Sequence, residues 1–243
     1  MGAQCFGEFA GTAVLILLGN GVVANVLLKK SKAEGAGWLA IAAGWAFAVV
    51  FGVFTAIACG SPDAALNPAV TFGLAIETGN FSKFIPFFAS QMLGAMVGAL
   101  LVWIYFLPHW RETEDDSVKL ACFSTMPAIR NFGANLLSET IGTFVLLLGV
   151  AAIFSKKVAI NGPAADLGPF LVGVLVWAIG LSLGGTTGYA INPARDLGPR
   201  IVHSLLPLGY KKIGSGWSYA IVPVIGPLIG AGLAGLFVRV AHL

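Results

Sequence analysis

Six stretches of roughly twenty mainly apolar residues, the length that a helix needs to cross a bilayer, fill most of the chain. They lie at 5–28, 38–59, 84–107, 135–154, 167–185 and 217–240. In hydrocarbon every peptide N–H and C=O must be paired inside the segment, so helices are the form open to them. Charged residues make up 10% of the 243, against about 25% in soluble domains. The first stretch is apolar to its end and lacks a small-residue cleavage site, so it reads as a span rather than a leader. The longest polar stretch, 108–130, reads as a loop, and no soluble domain remains.

One tripeptide occurs twice, as Asn67-Pro68-Ala69 and Asn192-Pro193-Ala194, once in each half. Pro suits the first turn of a helix, where its missing N–H is no loss, and the Asn before it stands where a cap would. Each copy therefore predicts a helix start, at 68–77 and at 193–204, and both helices are too short to span. The non-helical approaches at Leu66 and Ile191 must then be buried in protein or line a wet cavity. Two half-helices meeting tip to tip would each present about half a positive charge. Together they oppose cations, hydronium included.

The pairing belongs to a longer repeat. Gly7-Glu8-Phe9-Ala10-Gly11-Thr12 is echoed by Ser138-Glu139-Thr140-Ile141-Gly142-Thr143, and Gly94-x-x-x-Gly98 by Gly226-x-x-x-Gly230. The three offsets are 131, 125 and 132 residues. Three spans per half is an odd number, so the second half enters from the opposite side and the repeat is inverted. The expected organisation is a single transmembrane channel domain over 1–243, all α-helical, with repeats at 1–107 and 131–243. Its six transmembrane helices are joined by two re-entrant half-helices. The Gly-x-x-x-Gly pairs read as scaffold that lets helices cross closely.

Polar residues inside apolar stretches carry the functional expectations. Asn67 and Asn192 each keep an amide donor for a solute. Arg195 is expensive at that depth and is a functional candidate by default. It lies one turn after Asn192, on the same wall. Glu8 and Glu139 stand in equivalent places. They either accept N–H groups of the loops leading into the half-helices or carry a coupled proton. The symmetry of the repeat favours the structural role.

Other classes find no support. The three His are far apart in sequence, and no His-Glu-x-x-His, Gly-x-Ser-x-Gly or phosphate loop appears, so no enzyme is expected. No His/Cys/carboxylate set has ligand spacing, so neither metal nor cofactor is implied. A net charge of +3 from scattered residues does not suggest nucleic acid. Cys5, Cys59 and Cys122 show no C-x-x-C spacing and read as free thiols.

The two Asn-Pro-Ala copies, the repeated Glu and the six-span inverted pattern resemble the aquaporin, or major intrinsic protein, family over essentially the whole chain. Asn192-Pro193-Ala194-Arg195-Asp196-Leu197-Gly198-Pro199 and Phe123-Ser124-Thr125-Met126-Pro127 are similar to its glycerol-facilitator branch. The resemblance implies a selectivity filter of Arg195, Tyr189, Gly180 and a residue on the second helix, Trp45 or alternatively Phe47. Gly180 replaces the His of strict water channels and would open the filter. Trp45 and Tyr189 would form an apolar wedge with Arg195 opposite. Carbonyls of Asp63, Ala64, Ala65, Gly188, Tyr189 and Ala190 would line the pore. Two positions depart from the branch: Tyr189 stands where Phe is usual, and Ala65 where His is common.

The expected function is passive conduction of glycerol and other small uncharged solutes, with water, while ions and protons are excluded. Alternatives are a water-dominant pore, a channel for urea, dihydroxyacetone or protonated lactic acid, and an ion-coupled transporter using Glu8 and Glu139. The resemblance also implies a homotetramer in the lipid of the cell membrane with both termini cytoplasmic. The positive-inside rule points the other way. Lys29, Lys30, Lys32, Arg111, Lys119, Arg130, Arg200, Lys211 and Lys212 fall on one face, and Lys83, Lys156, Lys157 and Arg239 on the other.

Overall fold

The computed structural model describes residues 1–158, 160–161, 167–208 and 214–243, and among these every regular element is a helix. In chain order they are α1 (Gly2–Leu27), α2 (Gly37–Ala58), α3 (Pro68–Thr78), α4 (Phe84–Tyr105), α5 (His109–Glu112), α6 (Asp116–Ala121), α7 (Phe132–Phe154), α8 (Gly168–Leu183), α9 (Pro193–Leu205) and α10 (Val222–Ala241). Five of them, α1, α2, α4, α7 and α10, are long and apolar enough to cross a membrane.

The sixth expected span is shorter than its apolar stretch. Pro169 in the first turn of α8 fixes its start, and the Gly184-Gly185 pair ends it, leaving 16 residues or about 24 Å. The last helix starts at Val222 rather than near 217, because Pro223 belongs to its first turn and turns occupy the preceding residues. The polar stretch 108–130 is not a plain loop. It holds α5 and α6, and it tucks Trp110, Leu120, Cys122 and Phe123 into the core. The apolar side chains embedded among its charges drive that burial. Lys211 and Lys212 lie outside the described residues.

Packing follows the order of the elements. Helix α1 lies against α2 and α4, α7 lies against α8 and α10, and α2 meets α8 across the middle. The short helices cross over: α3 packs on α10, and α9 on α4. Glycines permit the close crossings. A Cβ at Gly98 would lie 2.5 Å from the Ala13 carbonyl oxygen, and one at Gly230 2.2 Å from that of Thr140. The Gly-x-x-x-Gly pairs thus serve contacts within the chain. Large apolar residues such as Phe51, Ile85, Leu101, Ile141 and Leu233 stand exposed on the outside. A surface this apolar suits lipid rather than water. Cys5, Cys59 and Cys122 are free thiols.

Candidate functional site

The half-helices α3 and α9 start at the two Asn-Pro-Ala copies, and their tips meet. Asn67 caps α3 by accepting the Ala69 N–H at 2.9 Å. Asn192 caps α9 by accepting the N–H groups of Ala194 at 3.0 Å and Arg195 at 3.2 Å. Each amide also donates across the junction, Asn67 Nδ2 to the Ile191 carbonyl at 2.8 Å and Asn192 Nδ2 to the Leu66 carbonyl at 2.9 Å. One hydrogen of each NH₂ is therefore engaged in joining the two halves, and one remains. Pro68, Ala69, Pro193 and Ala194 are buried at the joint.

The segments leading into these tips are strained alike. Ala64 and Leu66 have φ of +40° and +52°, and Tyr189 and Ile191, each 125 residues later, have +38° and +41°. Non-glycine residues rarely adopt this left-handed form, and each instance costs about 1 kcal/mol or more. A carboxylate stabilises each segment. Glu8 accepts the N–H groups of Ala65 at 3.0 Å and Leu66 at 2.8 Å. Glu139 accepts those of Ala190 at 3.0 Å and Ile191 at 2.8 Å. Consecutive N–H groups turned to one side in this way make an anion-binding nest. Ser61 Oγ and Gln91 Nε2 add two further donors to Glu8, at 2.7 and 2.8 Å.

A cavity of about 670 Å³ runs past the joint. One wall is the strained backbone, Asp63 to Asn67 and Tyr189 to Asn192. Aliphatic side chains also line the cavity, among them Val49, Val53, Leu146, Val150, Val172 and Val176. Gly188 is outside this lining, on the far side of Tyr189 and against Thr125.

Trp45, Tyr189 and Arg195 line one end of the cavity. Of the two candidates on α2, Trp45 is 5% exposed there, whereas Phe47 is 49% exposed on the outer surface. Arg195 does not stand opposite Trp45. Its guanidinium lies over the indole ring, 4.1 Å from the centroid, a cation–π arrangement that holds the charge in place. Its Nη1 reaches the Phe123 carbonyl at 3.5 Å.

Gly180 does not open onto the cavity. The Tyr189 ring fills the room it leaves, and a Cβ there would lie 2.9 Å from the phenol oxygen. Trp38 completes that packing. It stands edge-on to Tyr189 at 5.7 Å and donates Nε1 to the Gly180 carbonyl at 2.9 Å. Sequence reasoning gave Trp38 no part; an aromatic residue at the end of a span signals only an interfacial belt.

Arg200, counted in the sequence among the cations of one face, is fully buried in an ion pair with Asp196. Lys119 is also nearly buried, with Nζ on the Leu208 carbonyl. These two leave the surface charge count, because a cation paired inside protein does not read the membrane's polarity. Asn20 was likewise missed. Its Nδ2 donates to the Phe123 carbonyl at 3.2 Å. A lone amide inside an apolar stretch was its only signal, as it was for Gln91.

The family model described as "Major intrinsic protein" matches residues 2–238. A Thermotoga maritima protein described as a probable glycerol uptake facilitator protein is 56% identical over 92% of this chain and 92% of its own length. Glycerol uptake facilitator protein 3 of Lactiplantibacillus plantarum is 52% identical over 98% of this chain and 96% of its own. Among solved structures, the aquaglyceroporin from Plasmodium falciparum superposes with a TM-score of 0.84 at 29% identity, covering 98% of this chain and 95% of that one. The chain is a member of the major intrinsic protein family.

Proposed function

We propose that this chain is a passive channel conducting glycerol and other small uncharged solutes, together with water, while excluding ions and protons. One observation carries the reading. The cavity is lined both by aliphatic side chains and by the two bent entry segments, together with Trp45, Tyr189 and Arg195. A polyol has a carbon edge and a hydroxyl edge, and these linings match them. The N–H groups of Ala65, Leu66, Ala190 and Ile191 turn toward Glu8 and Glu139. The carbonyls of Asp63, Ala64, Ala65, Tyr189 and Ala190 are then free to accept solute hydroxyls, with Gly188 serving beyond Tyr189.

In this reading Trp45, Tyr189 and Arg195 form the selectivity filter, and Gly180 acts by seating Tyr189. Asn67 and Asn192 keep one amide hydrogen each for the solute. The paired half-helix N-termini and Arg195 oppose cations at the narrow part of the path. Glu8 and Glu139 are anchors of the strained segments. The channel is built from inverted repeats at 1–107 and 131–243. It works as a homotetramer in the lipid of the cell membrane with both termini in the cytoplasm, and each monomer has its own pore.

Stopped-flow light scattering on proteoliposomes tests the reading. Fast shrinkage in an impermeant osmolyte and fast re-swelling in glycerol, both above empty liposomes, are expected. Water flux without glycerol re-swelling would replace it with a water-dominant pore, in which the Tyr189 hydroxyl closes the filter to polyols. Gly180→His must push the Tyr189 ring out of its seat, so glycerol flux should fall further than water flux. Equal losses would overturn the filter assignment.

A further inference from the structure

We propose that Asp196 and Arg200 form a positioning clamp that sets the width and polarity of the filter from behind, by fixing Thr125. The clamp rests on the reading of Trp45, Tyr189 and Arg195 as that filter.

The pair is closed on itself and on Thr125. Asp196 Oδ1 accepts Arg200 Nε at 2.8 Å and Nη2 at 2.7 Å. Asp196 Oδ2 accepts the Thr125 N–H at 2.7 Å and the Thr125 hydroxyl at 2.6 Å. Arg200 Nη2 donates to the Thr125 carbonyl at 2.9 Å, and Nη1 to the carbonyls of Ser215 at 2.8 Å and Gly216 at 3.1 Å. A guanidinium has five N–H donors, and each has an acceptor here. Both carboxylate oxygens accept twice, and all three polar groups of Thr125 are taken. Both charged side chains are 0% exposed.

Two paths lead from Thr125 to the filter. Two residues earlier, the Phe123 carbonyl meets Arg195 Nη1 at 3.5 Å and Asn20 Nδ2 at 3.2 Å. On the other side, Thr125 packs on Gly188, where a Cβ would lie 3.3 Å from its methyl. Gly188 directly precedes Tyr189. The Ala128 N–H bond to the Thr186 carbonyl, at 3.0 Å, continues the same seam. Thr125 therefore fixes the acceptor beside Arg195 and the backbone beside Tyr189 at once.

Stability alone does not call for such a pair. Burying two charges is expensive, and well-packed apolar residues often do as well or better. The other half-helix demonstrates this. Thr71 and Ala75 occupy the positions of α3 that match Asp196 and Arg200 of α9 at the 125-residue offset, and α3 folds without an ion pair. The charges sit on the one half-helix that also carries Arg195, which lines the cavity.

The test compares glycerol and water permeability per folded channel in proteoliposomes, across four variants. Arg200→Met alone strands a buried carboxylate and is expected to fold poorly. The double variant Asp196→Leu/Arg200→Met removes both charges and keeps the packing. In it the glycerol-to-water permeability ratio is expected to fall about tenfold, the scale of coupling through residues that touch no ligand, with water flux held within about twofold. Arg200→Lys keeps the charge but cannot reach every carbonyl, and should give an intermediate ratio. A native ratio in the folded double variant, or in Arg200→Lys should the double variant not fold, overturns the clamp. Arg195→Ala separates the two readings. If it leaves the ratio unchanged, the filter assignment itself falls. If it shifts the ratio while the clamp variants do not, only the clamp falls.

Discussion

The two half-helices are alike at the pore and unlike behind it. Each begins with Asn-Pro-Ala, each is entered through two left-handed residues 125 positions apart, and each entry wraps a buried carboxylate. Behind α3, the Glu8 carboxylate has side-chain donors, Ser61 and Gln91. Behind α9, Glu139 takes the backbone N–H groups and a Thr187 bond, and the helix is fastened instead by Asp196 and Arg200. The two halves thus share their caps, their bent entries and their carboxylates, and differ in the supports. The support with buried charges faces the filter.

The largest expected effect that would break this comparison concerns the carboxylates. Gln at position 139 can accept one backbone N–H and turns an NH₂ toward the other, with the Thr187 hydroxyl as its one side-chain acceptor, so Glu139→Gln should cost about 3 kcal/mol. Gln at position 8 also loses one N–H, but its NH₂ has two side-chain acceptors, Ser61 Oγ and Gln91 Oε1, the latter without a partner among the described residues. Glu8→Gln should therefore cost less, by about one hydrogen bond or 1 kcal/mol. Thermal unfolding in detergent checks the order, and the reverse order would show that the Ser61 and Gln91 oxygens do not relieve the loss. The same variants examine proton coupling, since glycerol flux that loses a pH dependence on substitution would point to a coupled transporter.

Next come the caps. Asn192 accepts two backbone N–H groups where Asn67 accepts one. Asn192→Ala should cost about 2 kcal/mol and Asn67→Ala about 1 kcal/mol, measured by the same unfolding midpoints. Equal losses would mean that the cross-bonds to Leu66 and Ile191, which the two share, dominate.

The smallest effect belongs to the ion pair at the other mouth. Lys83 and Asp63 meet at 2.5 Å with side chains 39% and 31% exposed. Solvent screens such a pair, so Lys83→Ala should change stability by under about 1 kcal/mol. A loss as large as that of Arg200→Met would erase the contrast between exposed and buried pairs.

Much of the fold was legible in the sequence, since apolar length and Asn-Pro caps are local signals that burial reinforces. The start of α3 at Pro68 and of α9 at Pro193 could be read directly from the tripeptides. The left-handed residues could not. Nothing in Ala64, Leu66, Tyr189 or Ile191 favours positive φ; the distant carboxylates impose it. The burial of Arg200 is not legible either, because an Asp-x-x-x-Arg spacing in a helix reads equally as a solvated pair. The folding of 108–130 and of residues 215–216 against α9 buries it. Gly180 was read by residue type and not by neighbour, so the Tyr189 ring in its place went unseen.

The left-handed entries have a consequence for how such a protein can change over time. Acceptors made of peptide carbonyls cannot be deleted by a codon change, because every residue brings the same one. Replacing Ala64 or Ala65 alters bulk and strain while the oxygen stays. On the proposed channel reading, drift can retune who passes at Trp45, Tyr189 and Arg195, while the carbonyls of the bent entries persist for as long as two glutamates hold them.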